Sequence, residues 1–162
     1  MPTVAEILRL AKASDVELPR ALLFFKEWPD VDEFDDFRTG ANSAAALRHM
    51  ELLEARVEWL TKRPGGVFPD QIGVGRTRNN DVVLPITGVS KYHAYFKYDE
   101  EAECFRIADA GSKNGTELRG EPLPVREPVA LESGDALSFG GLCCKFFHTD
   151  KFIEGVKSRL RK

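Results

Sequence analysis

IGVGRTRNNDVVL, residues 72–84, opens the stretch that decides how this 162-residue chain reads. VSKYHAYF at 89–96 and DAGSKNGT at 109–116 complete it. Each segment sets a polar turn against a β-like run, with turn residues such as Asn79-Asn80-Asp81 marking the reversals. Loops of this kind gather at one end of a β-sandwich. Their side chains, Arg76, Ser90, Lys91 and Asn114, supply the N–H and O–H donors that grip an oxyanion. None of the three turns pairs a nucleophile with a base. Ser90 and His93 lie close in sequence, but no oxyanion-hole glycine pattern and no orienting acid accompanies them. The expectation is a binding module rather than a hydrolase.

Outward from this stretch, residues 63–149 break into short alternating runs separated by turn residues, the pattern of an all-β sandwich. Strands are expected near 71–74, 82–84, 93–98, 104–109, 116–118, 129–131, 136–139 and 142–147. Asp99-Glu100-Glu101 and Glu132-Ser133-Gly134-Asp135 read as turns between them. Pro64-Gly65-Gly66 marks the boundary with what precedes. Gly73-Val74-Gly75 is not a dinucleotide fingerprint, because Arg78 stands where the third glycine belongs and no helix follows.

Gly75-Arg76, Asn80-Asp81-Val82-Val83-Leu84, Ser90-x-x-His93-Ala94 and Asp109-x-x-Ser112-x-Asn114-Gly115-Thr116 together resemble the forkhead-associated (FHA) domain. Leu131 to Gly140 resembles that family's penultimate hairpin. The resemblance implies a β-sandwich that recognises phosphothreonine peptides through the loops at one end. It places Arg76 on the phosphate, Ser90 as a hydroxyl donor to a second phosphate oxygen, and Lys91 in reach of the same group. Asn114 would hydrogen-bond the peptide main chain and fix its register, with Ser112 and Lys113 flanking it in the phosphopeptide-binding set. Lys113 departs from the family, which often has Thr or Ser there. Gly75, His93, Asp109 and Gly115 would support the site: His93 bracing the Ser90 loop, Asp109 bracing the next, and Gly115 taking a positive φ. Arg78 is either solvent-facing or selects residues beside the phosphothreonine.

Residues 1–62 read as a small helical region that packs on the sandwich or covers its edge. Thr3-Val4-Ala5-Glu6 is a capping box opening a first helix with an Ile7, Leu8, Leu10 and Ala11 stripe. Pro19 suits the first turn of a second helix burying Leu22, Leu23 and Phe24 or Phe25 and stopping at Trp28. Val31, Phe34 and Phe37 give a short helix within the acidic run 30–36, closed by Gly40. Asn42 or Ser43 caps a longer helix to about Leu60, with Ala46, Met50, Leu53, Val57 and Leu60 in a heptad-spaced stripe. Alternatively, 57–62 alternates as a strand and supplies a first strand otherwise missing from the sandwich, whose bare edge would need cover. His49, among charged neighbours, reads as a surface residue.

Hydrophobic residues make up 43% and charged residues 30%, a globular balance. The net charge of −3 excludes a nucleic-acid partner bound by bulk electrostatics. Its distribution is uneven, −4 over 1–62, −2 over 63–149 and +3 over 150–162. The last segment reads as a short basic C-terminal helix with Phe152, Ile153, Val156 and Leu160 on one face. Cys104, Cys143 and Cys144 have no metal-ligand spacing and read as reduced, buried thiols, the adjacent pair facing opposite ways. No leader and no apolar run of membrane length is apparent, so a cytoplasmic monomer is expected.

These readings combine into a non-catalytic, phosphothreonine-binding adaptor in Ser/Thr kinase signalling. Its partner would be a phosphothreonine-bearing kinase or kinase substrate, with no nucleic acid, no membrane, no metal and no cofactor. The alternative is a phospho-independent scaffold that binds through the Val57/Leu60 face or the acidic 30–36 segment. A phosphorylated Thr39 occupying the site in cis is a further possibility.

Overall fold

The computed structural model describes residues 1–26, 51–66 and 68–161. Two β-sheets pack face to face. The first runs β2 (Arg56–Trp59), β1 (Ala21–Phe25), β11 (Leu142–His148), β10 (Ala136–Phe139), β7 (Thr116–Leu118) and β8 (Glu121–Pro122). The second runs β4 (Val82–Val83), β3 (Ile72–Gly75), β5 (Ala94–Asp99), β6 (Cys104–Asp109) and β9 (Val129–Ala130). All pairings are antiparallel except β3 with β4. The helix α1 (Val4–Leu10) precedes the strands and α2 (Thr149–Leu160) follows β11 directly.

Period-two alternation builds the core. Along β11, Leu142, Cys144 and Phe146 point inward while Cys143 and Lys145 are exposed. Phe96, Phe139, Phe146, Ile107 and Val74 fill the space between the sheets. The thiols divide accordingly. Cys144 is buried, which pushes its pKa up, Cys104 is half-buried, and Cys143 is exposed, so the expectation of buried cysteines is corrected at Cys143.

A second apolar cluster covers the outer face of the first sheet, where Val4, Ile7, Phe152 and Val156 of the two helices meet Leu22 and Val57. The capping box is present, with Thr3 Oγ1 accepting the Glu6 amide and the Glu6 carboxylate accepting the Thr3 amide. The C-terminal helix is also where the sequence put it, with Phe152 and Val156 buried.

The helix expected to follow Pro19 is instead the strand β1. Leu23 and Phe25 enter the sandwich core while Leu22 enters the cluster under the helices. A strand buried on both faces is a continuous apolar run, and periodicity cannot separate such a run from a buried helix. β1 pairs with β11 on one side and β2 on the other, Leu22 lying opposite both Phe147 and Trp59.

The long helix expected to reach Leu60 is likewise corrected. Residues 51–54 are helical, but Arg56–Trp59 is a strand, as the alternative reading of 57–62 had it, beginning one residue earlier and ending three earlier. The heptad-spaced stripe is not one face: Val57 faces the helices and Leu60 the sandwich core. Both are at most 3% exposed, so the scaffold alternative loses its Val57/Leu60 face, while its acidic 30–36 segment lies outside the described residues. The expectations for Trp28, the 30–36 helix and its closing Gly40, Thr39, the Asn42 or Ser43 cap, Ala46, His49 and Met50 lie outside the described residues.

The described residues of 1–62 thus contribute two strands to the sandwich as well as the helix α1 that packs on it. The strand that seemed to be missing is β1, set far from β3 in sequence. Among the described residues no helix is long and apolar enough to cross a membrane.

Candidate functional site

The three polar turns meet at one end of the sandwich. They follow β3, precede β5 and join β6 to β7, and β10 closes beneath them, its Phe139 paired with Thr116 and the Gly140 amide donating to Gly115 O at 3.0 Å. The Ser90 turn lies between the other two. On one side the Arg76 amide donates to Ser90 O at 2.9 Å and Arg76 Nε to Val89 O at 3.1 Å. On the other the Lys113 amide donates to Ser90 Oγ at 3.0 Å and Asn114 Nδ2 to Gly88 O at 3.0 Å.

This leaves defined donors for an anion. Arg76 spends Nε on the protein, while its terminal amines have no partner among the described residues. Ser90 Oγ is an acceptor from Lys113, so its own hydrogen is available to a ligand oxygen. Arg76, Lys91, Lys113 and Asn114 are exposed. Asn114 keeps its carbonyl oxygen and one amide hydrogen for a peptide main chain.

Buried groups hold these donors in place. The His93 ring is fully buried and takes the Ser90 amide on Nδ1 at 2.9 Å while Nε2 donates to Gly115 O at 2.9 Å. These bonds fix one neutral tautomer, and burial holds the imidazole below its ordinary pKa. Neither ring nitrogen is left to take a proton from Ser90, which removes the Ser–His pair as a nucleophile and base. Asp109, 3% exposed, accepts the Gly111 and Ser112 amides on Oδ2 and the Ser112 and Thr116 hydroxyls on Oδ1. Gly115 has φ +82°, the left-handed conformation the turn needs.

The structure separates the candidate residues by task. Ser112 stands with the braces, its hydroxyl donating to Asp109 and accepting the Gly115 amide at 2.9 Å. Lys113 replaces a side-chain hydroxyl, yet its backbone amide supplies the contact to Ser90. Gly75 allows backbone approach: a Cβ there would meet Lys91 O at 2.2 Å and Asn80 Nδ2 at 2.7 Å. Asn80 carries a task that sequence reasoning left unassigned. Its buried Nδ2 donates to Thr77 O at 2.9 Å and Lys91 O at 2.6 Å, clamping the Arg76 turn to the Ser90 turn. Asp81 beside it accepts Lys62 Nζ and the Arg63 and Gly73 amides, each at 2.8 Å. An Asn-Asn-Asp turn entering a buried strand was the available signal, since buried polar groups must find partners.

A family model described as "FHA domain" matches residues 72–140. The human protein "Angiogenic factor with G patch and FHA domains 1" is 32% identical over 84 residues, 49% of this chain and 12% of that protein. The Corynebacterium diphtheriae "Oxoglutarate dehydrogenase inhibitor" is 36% identical over 84 residues, 52% of this chain and 51% of that protein. The chain therefore spans about half or less of the length of these relatives. The solution structure of the FHA domain of an Arabidopsis thaliana hypothetical protein superposes with a TM-score of 0.52 at 23% identity, covering 84% of this chain and 93% of that one. That likeness is one of fold.

Proposed function

We propose, from the premise that residues 72–140 are a forkhead-associated domain, that this chain is a non-catalytic adaptor that binds phosphothreonine peptides made by Ser/Thr kinases. The observation that carries the reading is the convergence of the Arg76 guanidinium and the Ser90 hydroxyl, Ser90 being fixed by the Lys113 amide and by buried His93. A phosphate carries about −1.5 to −2 charge at neutral pH and offers acceptor oxygens that match these donors. Guanidinium gives a fork of fixed donors, Ser90 a single hydroxyl, and Lys91 and Lys113 add positive charge. Asn114 would hold the peptide main chain, setting which residues flank the phosphate.

Hydrogen bonds to a charged group contribute about 1.5–3 kcal/mol each, so Arg76→Ala should weaken binding at least about tenfold. Titration calorimetry with matched phosphorylated and unphosphorylated threonine peptides tests the reading. Equal affinity for the two, or an unaffected Arg76→Ala variant, would refute it.

A further inference from the structure

The site holds more positive charge than one phosphate requires. Residues 76–80, 85–92 and 110–116 contain Arg76, Arg78, Lys91 and Lys113 and no Asp or Glu, in a chain whose net charge is −3. All four cations are exposed. Elsewhere Lys62, Lys97, Arg106, Arg119 and Lys151 each pair with a carboxylate. Among the described residues none of the four at the turns does. Arg76, Lys91 and Lys113 adjoin Ser90 and suffice for a group of about −2. Arg78 is the surplus.

The backbone that carries Arg78 is also held in position. Arg78 sits at the tip of the turn closed by the Asn80 amide on Thr77 O at 3.2 Å. Asn80 Nδ2 donates to Lys91 O at 2.6 Å, and the Thr77 hydroxyl, on the other side of Arg78, lies between Asn79 Oδ1 and Lys91 O. The turn tip is thereby pinned to the residue that follows Ser90. Two residues of chain separate the Arg76 and Arg78 Cα atoms by at most about 7 Å. An extended peptide advances about the same distance over two residues.

We infer that the ligand of this site is an acidic phosphopeptide whose second anionic group, two residues from the phosphothreonine, is met by Arg78. The inference rests on the phosphothreonine reading and adds the charge of the ligand to it. The second anion is a carboxylate or another phosphate, and the two differ in strength. A glutamate gains about two- to fivefold in affinity, the range of an exposed ion pair. A phosphate, doubly charged and able to take the guanidinium fork, gains about tenfold. Both gains shrink as ionic strength rises.

The test uses fluorescence anisotropy with the full chain and nine-residue peptides centred on phosphothreonine. One position, two residues before or after it, is Ala, Glu or phosphoserine, and the remaining positions are degenerate. Wild type is compared with Arg78→Gln and with Arg159→Gln, which removes an exposed charge on α2 instead. The expected result is a gain from Glu and a larger one from phosphoserine at one of the two positions, kept by Arg159→Gln and lost by Arg78→Gln. Arg78→Gln leaves the Ala peptides within about twofold of wild type. Equal binding of the Ala, Glu and phosphoserine peptides, or a gain that survives Arg78→Gln, overturns the inference alone. Matched peptides lacking the central phosphate form a separate arm. If they bind as well as the phosphorylated ones, the phosphothreonine reading fails and takes this inference with it.

Discussion

Replacing Asp109 by Asn changes one atom and removes the charge from the brace beneath the ligand turns. The carboxylate accepts four hydrogen bonds, from the Gly111 amide at 2.8 Å, the Ser112 amide at 2.9 Å, the Thr116 hydroxyl at 2.7 Å and the Ser112 hydroxyl. In Asn the NH2 group can face the Ser112 and Thr116 hydroxyls, which turn to accept it, so the four contacts remain but none is charge-assisted. A bond to a charged acceptor contributes about 1.5–3 kcal/mol against about 0.5–1.5 for a neutral one, so weakening all four costs about 3–4 kcal/mol. The sandwich would melt about 6–12 °C lower, and the loosened turn would misplace the Lys113 amide and Asn114 and weaken phosphopeptide binding.

The pH dependence supplies a second check on the same residue. Burial raises the cost of the Asp109 charge, but the Ser112 and Thr116 hydroxyls and the two amides outweigh it and hold the carboxyl below its ordinary range. A depressed folded pKa contributes stability above the unfolded value of about 3.9 and loses it as pH falls through the folded value. Urea melts of wild type and Asp109→Asn should therefore differ by a constant amount from about pH 5 to 8, and the gap should narrow below about pH 4. A gap under about 0.5 kcal/mol at neutral pH, or one that persists undiminished at about pH 3, would show that the Asp109 charge does not hold the turn.

Two further outcomes follow from buried groups. His93 is held neutral by burial, so its folded pKa lies below the unfolded value of about 6.5. Stability is then complete above that value and falls as pH drops toward the folded pKa, and a His93→Gln variant should lose this slope in pH-dependent melts. β1 is buried on both faces, Leu22 and Leu23 both being fully buried. Leu22→Ala and Leu23→Ala should each cost about 2–5 kcal/mol in denaturant unfolding, whereas a helix docked by one face would be sensitive at only one of the two positions.

The site was more legible in the sequence than the start of the fold. Its residues lie within local turns whose chemistry is fixed at short range, and Cys104–Asp109, Thr116–Leu118 and Ala136–Phe139 form strands with the bounds their alternation gives. Ala21–Phe25 was opaque because both of its faces are covered, one by the opposite sheet and one by α1 and α2, which erases the alternation. Arg56–Trp59 was obscured by apolar spacing that also suits a helix, with Val57 and Leu60 serving different clusters. The pairing of β1 with β11 spans nearly the whole chain, and nothing local to either strand announces it. The tasks of Ser112 and Asn80 emerged only from the hydrogen bonds that close the turns. Both read as polar turn residues until their partners were placed.

The most direct test of the phosphothreonine reading is one calorimetric comparison, in which a phosphothreonine peptide selected from a degenerate set and its unphosphorylated twin are titrated into wild type and Arg76→Ala. Wild type should prefer the phosphorylated peptide, and Arg76→Ala should lose at least about tenfold of that affinity while leaving the weak binding of the twin unchanged. Equal affinity of wild type for the two peptides would contradict the phosphothreonine reading.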